Sequence, residues 1–250
     1  MYHGLVLGNE PRQTMAAARL AQLGAELSGE GDLDFILLPF GIDEPVEQMA
    51  RLKPGGVCFS IRPGAEIKKQ ATEQKVRLVD LNQEPGFKHR NAVSTAEAAL
   101  ALAIGNTRDT LFGSQVLVIG YGAIGRRLCR LLTALGAKVT GSARKPEDLV
   151  QIVLEGCRAV HTEALAQTCR PYAIVFNTVP APVLTPALTE QLPKDCFILD
   201  LASGCGGLAG EVPKGYLQAL QLPGKTAPQA AARAAADTVW DILEVGHAAG

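Results

Sequence analysis

Three glycines form the pattern with the clearest chemical meaning in the sequence. Gly120, Gly122 and Gly125 follow a β-branched apolar run and precede an amphipathic stretch. We expect Gly120 to allow a tight turn, Gly122 to let the backbone approach a phosphate, and Gly125 to pack a helix closely on a sheet. The backbone N–H groups of Ala123 and Ile124 would then face the phosphates from the helix N-terminus. The order of strand, turn and helix therefore predicts a dinucleotide-binding site, with a merely structural turn as the alternative.

The end of the next predicted strand bears on the choice of dinucleotide. A ribose-binding acid is expected about 20 residues beyond the glycines, but this segment contains Ser142, Arg144 and Lys145, and its first acid is Glu147. Hydroxyl and cationic groups suit a 2′-phosphate, because it accepts hydrogen bonds and attracts positive charge. The sequence therefore favours NADP over NAD, and the alternative for Arg144 is a solvated loop cation.

Polar residues end two further predicted strands in the same half of the chain. In open α/β sheets, ligands bind beyond the carboxyl ends of the strands. Asn177 and Thr178, followed by Val179 and Pro180, are expected to contact the ribose or the nicotinamide. Asp200 ends another strand, where a cofactor-binding role and a structural role are equally well supported.

Substrate-binding candidates lie outside this cofactor set. Lys225 follows a Pro-Gly turn and is suited to a substrate carboxylate, although it is also explained as a surface cation. Asn91 lies at the expected domain junction, where clefts tend to form. We take these two residues as the catalytic candidates. The residues expected to bind substrate are Arg62, Arg90, Thr95 and Ser203.

The histidines argue against one common activity of dinucleotide-binding enzymes. A 2-hydroxyacid dehydrogenase needs a histidine base near the nicotinamide. None of His3, His89, His161 and His247 follows a predicted strand in a convincing position. The sequence therefore disfavours an ordinary hydroxyacid dehydrogenase.

Short apolar runs alternate with helical patterns along the whole chain, which predicts an α/β fold with parallel sheets. Strands are predicted at residues 4–8, 25–27, 34–38, 57–61, 76–80, 115–119, 138–141, 173–177, 196–200 and 217–220. Helices are predicted at residues 12–23, 44–52, 65–74, 94–106, 123–135, 146–155, 163–168, 186–191 and about 227–247. A loop at residues 84–86 precedes the helix at 94–106, for which Ser94 or Thr95 is the expected N-cap.

This order of elements predicts two Rossmann-like domains joined by the long helix at 94–106. The first, flavodoxin-like or Rossmann-like, spans residues 1–92 and is expected to bind substrate. The dinucleotide-binding domain spans residues 93–224. Residues 225–250 form a C-terminal helix that we expect to pack back at the domain junction.

Composition excludes several classes of protein. The 250 residues carry a formal net charge of -1, whereas a nucleic-acid-binding protein needs a basic face. The longest apolar stretch, residues 98–104, is far shorter than the roughly 18 residues of a membrane helix. The six cysteines have no metal-binding or disulfide spacing. We expect a cytoplasmic protein without a metal site.

Several ordered motifs resemble those of the A-subunit family of dipicolinate synthase. They occupy residues 91–97, 113–125, 177–180, 200–207 and 222–228. The resemblance implies NADP-linked oxidation of dihydrodipicolinate, a small dicarboxylate, to dipicolinate during sporulation, together with a B subunit. Formation of an aromatic ring demands no strong base, but it does demand anchors for two carboxylates. Proteins of this fold are commonly dimers, so we expect a homodimer or a higher oligomer.

The sequence also departs from the family pattern. The segment from Gly8 to Arg12 matches only loosely, the first domain is short, and Gly204 stands where the family often has arginine. Arg62, Arg90 or Lys225 would then bind that carboxylate. The alternatives are another NAD(P)-dependent oxidoreductase, like the 2-hydroxyacid or methylenetetrahydrofolate dehydrogenases, and a non-catalytic NADP-binding subunit.

Overall fold

The computed structural model describes residues 1–168 and 170–248 of the chain. The chain forms two compact units, of which the first contains Met1–Asn91 and Pro223–Gly250 and the second contains Ala92–Leu222. Each unit is built around a sheet of parallel strands. The predicted α/β fold with two parallel sheets is therefore confirmed.

The sheet of the first unit contains its strands in sequence order. These strands are β1 (Gly4–Val6), β2 (Leu33–Leu37), β3 (Leu52–Ser60) and β4 (Arg77–Asp80). On the other side of β1, the strand predicted at 25–27 is reduced to one parallel bridge between His3 and Glu26. With this segment included, the order is that of flavodoxin-like folds, and the direction of connection reverses between β1 and β2.

Helices cover both faces of this sheet. Helix α1 (Pro11–Leu23) follows β1, and α2 (Ala65–Glu73) joins β3 to β4 on the opposite face. The helix predicted at 44–52 is only a short 3-10 turn at Glu47–Arg51.

Helix α3 (Pro85–Asn106) begins well before the predicted start at residue 94. Proline is compatible with the first turn of a helix, because the N–H that it lacks would have no partner there. The predicted loop at 84–86 and the predicted caps at Ser94 and Thr95 are therefore wrong. Both of these residues are buried in the helix interior.

The second unit contains the other sheet and the remaining strands. They are β5 (Gln115–Ile119), β6 (Lys138–Ala143), β7 (Arg158–His161), β8 (Ile174–Asn177), β9 (Phe197–Asp200) and β10 (Tyr216–Gln218). Their order, β10-β9-β8-β5-β6-β7, is that of a dinucleotide-binding Rossmann sheet. The strand order reverses between β5 and β8, so a ligand site is expected beyond the carboxyl ends of these two strands.

Strand β5 shows why this sheet is buried on both faces. Val116 and Val118 face one apolar cluster, whereas Leu117 and Ile119 face the other. All four side chains are fully buried, as is typical of parallel strands covered by helices on both sides. The helices that follow are α4 (Ala123–Ala134), α5 (Pro146–Leu154) and α6 (Pro186–Thr189). The helix predicted at 163–168 is only a 3-10 turn at Thr162–Ala164.

The chain ends with α7 (Leu222–Thr226) and α8 (Pro228–Ala248). Helix α8 packs along α1, where Ala235 and Val239 join Ala16 and Leu20 in one apolar cluster. An ion pair of 2.8 Å between Arg19 and Asp237 links the same two helices. None of the helices in the described part of the chain is both long enough and apolar enough to span a membrane.

Candidate functional site

The glycine-rich turn after β5 has the geometry that its sequence predicts. Gly120 has a φ of 93°, a left-handed conformation that favours glycine. A Cβ at Gly120 would lie 2.5 Å from Oγ1 of Thr178, and a Cβ at Gly125 would collide with the carbonyl oxygen of Gly120. These two positions therefore need glycine because protein atoms surround them.

Gly122 differs, because no protein atom lies within 4 Å of the place where its Cβ would be. It is the N-cap residue of α4, has no side chain to cap the helix, and is followed by a first turn without acidic residues. An uncapped helix N-terminus presents N–H groups and a partial positive charge. Gly122, Ala123 and Ile124 thus form a surface that fits a pyrophosphate.

The segment after β8 supports this turn. The backbone N–H and the hydroxyl of Thr178 both donate to the carbonyl oxygen of Ile119, each at 2.9 Å. Val179 packs against Gly120, and Pro180 is exposed. Thr178 and Val179 therefore hold the glycine turn in place, a contribution that the sequence alone did not indicate.

Arg126 is a second supporting residue that the sequence analysis missed. Its Nε donates to the carbonyl oxygen of Tyr121 at 3.0 Å, and its Nη2 lies 2.6 Å from Oδ1 of Asp148 on α5. The guanidinium also lies 5.0 Å from the centre of the Tyr121 ring. Arg126 thus ties the glycine turn to the first turn of α5.

The predicted 2′-phosphate residues occupy different environments at the end of β6. Arg144 and Lys145 are exposed, and neither forms an ion pair with any described residue. Ser142 is fully buried and its hydroxyl lies 3.3 Å from that of Thr162. A ligand therefore reaches Arg144 and Lys145 directly, whereas Ser142 belongs to the interior of the sheet.

His161 also lies at this edge, at the end of the strand β7 that was not predicted. Its Nε2 is 3.1 Å from the carbonyl oxygen of Arg144, so it holds the backbone of the loop after β6. The register between Ala143 and His161 brings the two strand ends together. A polar residue at each end of a four-residue strand hid this element from pattern analysis.

Asn177 and Asp200 are joined inside the protein. Nδ2 of Asn177 donates to Oδ1 of Asp200 at 2.9 Å and to the carbonyl oxygen of Val179 at 3.1 Å, while its Oδ1 accepts from the N–H of Val179. Both side chains are fully buried. The hydrogen bonds that Asn177 was expected to offer to a cofactor are thus used to shape the loop after β8.

Asp200 accepts three more hydrogen bonds. They come from the backbone N–H groups of Ala202 and Gly207, at 3.0 and 2.7 Å, and from the hydroxyl of Tyr216 at 2.9 Å. Burial and the negative charge of Asp200 raise the pKa of Tyr216 to about 12. Of the two roles that the sequence left open for Asp200, these contacts support the structural one.

The three cations among the predicted catalytic and substrate-binding residues lie in the first unit. Arg62 is exposed and follows β3, and its φ of 55° is unusual for a residue with a side chain. Lys225 is exposed on α7 and forms no ion pair with a described residue. Unlike these two cations, Arg90 has partners on α8: its Nη1 donates a hydrogen bond to the hydroxyl of Thr238 at 3.1 Å, and its Nη2 donates to Oδ2 of Asp241 at 2.6 Å.

The other substrate candidates differ in accessibility. Asn91 is half-buried in the middle of α3. Thr95 is buried in the same helix. Ser203 is exposed in the loop after β9. Within the residues that the structure describes, no group of three or more histidine, cysteine, aspartate or glutamate side chains is arranged to hold a metal ion.

Comparison with known proteins relates the chain to dipicolinate synthase. Residues 91–191 match the model of the NAD-binding domain of D-isomer specific 2-hydroxyacid dehydrogenases. The A subunit of dipicolinate synthase from Bacillus subtilis (strain 168) is 30% identical over 220 residues, which cover 86% of this chain and 74% of that protein.

Two crystal structures of the same synthase component are similar over almost the full length. The A subunit from Bacillus halodurans has a TM-score of 0.85 at 26% identity, and the match covers 97% of each chain. The A chain from Bacillus subtilis has a TM-score of 0.88 at 26% identity and covers 100% of this chain and 98% of that one. The similarity thus includes both units and not only the dinucleotide-binding one.

Proposed function

Because this chain belongs to the A-subunit family of dipicolinate synthase, we propose that it catalyses the NADP-linked oxidation of dihydrodipicolinate to dipicolinate. The observation that carries this proposal is the similarity to that family over 86% of the chain. The glycine-rich turn, with its open approach at Gly122, supports the cofactor part of it.

The proposed reaction removes two electrons and two protons from a dihydropyridine ring. The bound nicotinamide supplies the acceptor for one hydrogen and its electron pair, and the second hydrogen leaves as a proton. Formation of the aromatic ring drives the loss of that proton, so the protein needs no strongly basic histidine at the ring. Its main tasks are to orient the ring and to bind two carboxylates.

We propose that Gly120, Gly122 and Gly125, with the N–H groups of Ala123 and Ile124, hold the pyrophosphate. The uncapped N-terminus of α4 supports this assignment. Thr178, Val179 and Pro180 are proposed to line the same side of the site, with Asn177 and Asp200 holding their loops from inside.

Arg144 and Lys145 are proposed to bind the 2′-phosphate of NADP. Both cations are exposed at the end of β6, and the backbone of Arg144 is held by His161. A dianionic phosphate gains charge-assisted hydrogen bonds there that the ribose hydroxyl of NAD does not provide. NAD remains the alternative cofactor.

Arg62, Lys225 and Asn91 are proposed to contact the substrate, as is Ser203 in the exposed loop after β9. The exposed cations Arg62 and Lys225, which form no ion pair with a described residue, suit its carboxylates, and the side chain of Asn91 suits orientation of the ring. Arg90 is a weaker candidate, because Thr238 and Asp241 already bind its guanidinium. Thr95 is a weaker candidate because it is buried.

We also propose that the chain works with a B subunit, because its relatives are named as the A component of their synthase. A homodimer or a higher oligomer, a cytoplasmic location and a role in sporulation complete the proposal. The oligomeric state is testable by light scattering of the purified chain with and without B subunit.

The decisive experiment measures dipicolinate formed by the purified chain from freshly generated dihydrodipicolinate. Reactions contain NADP or NAD, with and without B subunit, and spontaneous oxidation is subtracted with a reaction that lacks protein. Product formed faster than this control, with NADP preferred, is the expected result. Tight NADP binding without product under any combination would instead identify a non-catalytic subunit or a different substrate.

Variants at the end of β6 test the cofactor preference separately. Arg144→Gln and Lys145→Gln are each expected to weaken NADP binding about 10-fold and to leave NAD binding nearly unchanged, as loss of one charge-assisted bond predicts. Lys138→Gln is the control, because this exposed lysine starts the same strand at the opposite edge of the sheet. Equal losses for NADP and NAD would contradict the assignment.

A further inference from the structure

Arg12 is held firmly at the start of α1, although no described buried acid pairs with it. Its guanidinium lies 4.1 Å from the centre of the Phe40 ring. A Cβ at Gly224 would lie 2.6 Å from Nη1 of Arg12, so the backbone of Gly224 also borders it. Contact with an aromatic face fixes the plane of an arginine and leaves its edge free for an anion.

The only described ionic partner of Arg12 is Glu10, whose Oε2 lies 3.1 Å from Nη2. The side chain of Glu10 is 63% exposed, whereas that of Arg12 is 23% exposed. Exposed ion pairs of this kind contribute little to stability. A ligand carboxylate can therefore replace Glu10 without disturbing the core.

Arg12, at the start of the helix that follows β1, lies beyond the carboxyl end of that strand, where α/β proteins bind ligands. The strand order reverses between β1 and β2, and crevices at such points lie beyond the carboxyl ends of the strands. Nε2 of Gln13, the next residue, donates to the carbonyl oxygens of Leu7 and Leu38, at 3.2 and 2.9 Å. Gln13 therefore spans the ends of β1 and β2.

Gln13 and the N-terminus of α1 contribute two further features at this place. Oε1 of Gln13 is buried and accepts no hydrogen bond from the residues that the structure describes. As an acceptor, it can pair with a donor group of a ligand or with a water, but not with a carboxylate. The N-cap residue of α1, Glu10, makes no side-chain hydrogen bond to the helix, and the first turn contains no acid. Pro11 has no N–H, and the N–H groups of Gln13 and Thr14 donate to the carbonyl oxygen of Glu10, so the backbone N–H of Arg12 is the first-turn group placed to meet an anion.

We propose that Arg12 binds a carboxylate of the substrate at the carboxyl edge of β1 and β2, an inference that relies on the proposed function for the identity of the ligand. The two nitrogens of its edge suit bidentate binding of one carboxylate.

The test measures binding of pyridine-2,6-dicarboxylate to the full-length chain by calorimetry, with inorganic phosphate as a second probe. Arg12→Gln is expected to weaken dicarboxylate binding about 10- to 100-fold, as loss of a bidentate charged contact predicts. Gly224→Ala keeps the charge but displaces the guanidinium, so it is expected to weaken binding about 10-fold. Glu10→Gln removes the competing carboxylate and is expected to tighten it.

Arg77→Gln is the matched control, because Arg77 is exposed at the amino end of β4, at the opposite edge of the same sheet. Thermal unfolding and NADP binding, measured for each variant, show whether the fold and the cofactor site are intact. Unchanged dicarboxylate binding in a folded Arg12→Gln protein would overturn the role of Arg12 and leave the proposed function standing.

Other results separate the two proposals. If the wild-type chain binds phosphate but not the dicarboxylate, and Arg12→Gln abolishes that binding, Arg12 is an anion site and the proposed substrate is wrong. If the wild-type chain binds neither probe, the site is refuted. A loss of dicarboxylate binding equal in Arg12→Gln and Arg77→Gln would also refute it, because the effect would then be one of general charge.

Discussion

The carboxylate of Asp200 draws together groups from several segments of the second unit. It is buried and accepts from Asn177, Ala202, Gly207 and Tyr216. Burying a carboxylate costs free energy unless hydrogen bonds compensate for the lost water. Removing this carboxylate would in turn leave its buried donors unpaired, which is also costly. The motif of acid, small residues and two glycines is therefore explained by the fold of the loops.

Asp200→Asn is expected to lower the free energy of unfolding by about 2–4 kcal/mol, because an amide nitrogen replaces one acceptor and leaves donors unpaired. Urea unfolding followed by circular dichroism measures this change. Asp195→Asn is the control, since Asp195 is exposed in the loop before β9. A variant with normal stability that fails to bind NADP would show instead that Asp200 acts on the ligand.

Tyr216 provides a spectroscopic test of the same cluster. Its pKa is raised to about 12, first by burial and then by the hydrogen bond and charge of Asp200. A raised pKa means that the folded protein favours the neutral form of Tyr216. The contribution of this shift to the free energy of unfolding is complete below about pH 10 and is lost as the pH rises towards 12.

Burial also raises the pKa values of Tyr2 and Tyr121, so titration of tyrosinate absorbance is expected to include several late components, of which Tyr216→Phe removes one. In a folded Asp200→Asn protein, the same component is expected at lower pH, because the negative charge is gone. An unchanged titration in both variants would refute the coupling between Tyr216 and Asp200.

The sequence predicted some of these residues well and others poorly, for a physical reason. The packing of Gly125 on the carbonyl oxygen of Gly120 is local along the chain, so the spacing of the glycines indicated it, whereas the crowding of Gly120 by Thr178 and Val179 depends on the folded chain. The hydrogen bonds of Asn177 and Asp200 connect separate strand ends, and residue type alone did not distinguish a ligand contact from an internal one. Arg12 depends on Phe40 and Gly224, which only the folded chain brings near it.

At the scale of elements, the glycines of the turn before α4 differ in what surrounds them. The Cβ of alanine at Gly122 would meet open space, whereas that at Gly125 would meet the backbone of Gly120. One motif thus contains a glycine that packing requires, Gly125, and a glycine that protein atoms do not require, Gly122, which the proposed function assigns to the pyrophosphate.

Gly122→Ala is expected to change the free energy of unfolding by less than about 1 kcal/mol, since only the N-cap preference is altered. It is expected to weaken NADP binding about 10- to 100-fold, because the methyl group blocks the approach of the pyrophosphate. Gly125→Ala is expected to cost about 1–3 kcal/mol of stability, as overpacking against fixed backbone does. Urea unfolding and fluorescence titration with NADP measure both effects; equal destabilisation by the two variants would contradict this division.

Element boundaries show where local patterns mislead. Residues 115–119 were predicted in full as β5, because an apolar run before glycine has one simple interpretation. Pro85 and Gly86 suggested a loop, yet proline at the start of α3 is compatible with helix. Strand β7 escaped detection because only one of its four residues is fully buried.

For the whole molecule, the path of the chain makes the first unit dependent on its last helix. The chain leaves this unit after Asn91 and re-enters it at Pro223. Helix α8 then fills one face of the core, where Ala235, Ala236 and Val239 are fully buried. The second unit, by contrast, is one continuous segment with apolar clusters on both faces of its sheet. The sequence led us to expect that residues 225–250 form a helix that packs back at the domain junction, but only tertiary contacts show that this helix completes the core of the first unit.

A chain that stops at residue 227 is therefore expected to lose the fold of the first unit and to keep that of the second. Burial of each large apolar side chain contributes about 1.5–3 kcal/mol to the free energy of unfolding. A domain has only about 5–15 kcal/mol in total, so loss of the buried side chains of α8 is expected to unfold this unit. Hydrogen exchange is expected to show loss of protection in β1–β4 and retained protection in β5–β9, with NADP binding within about threefold of the full chain. A matched chain that stops at residue 245 is the control and is expected to behave like the full chain. If the shortened chain loses both NADP binding and the protection of β5–β9 from exchange, the dinucleotide-binding unit needs α8 and the two units do not fold independently.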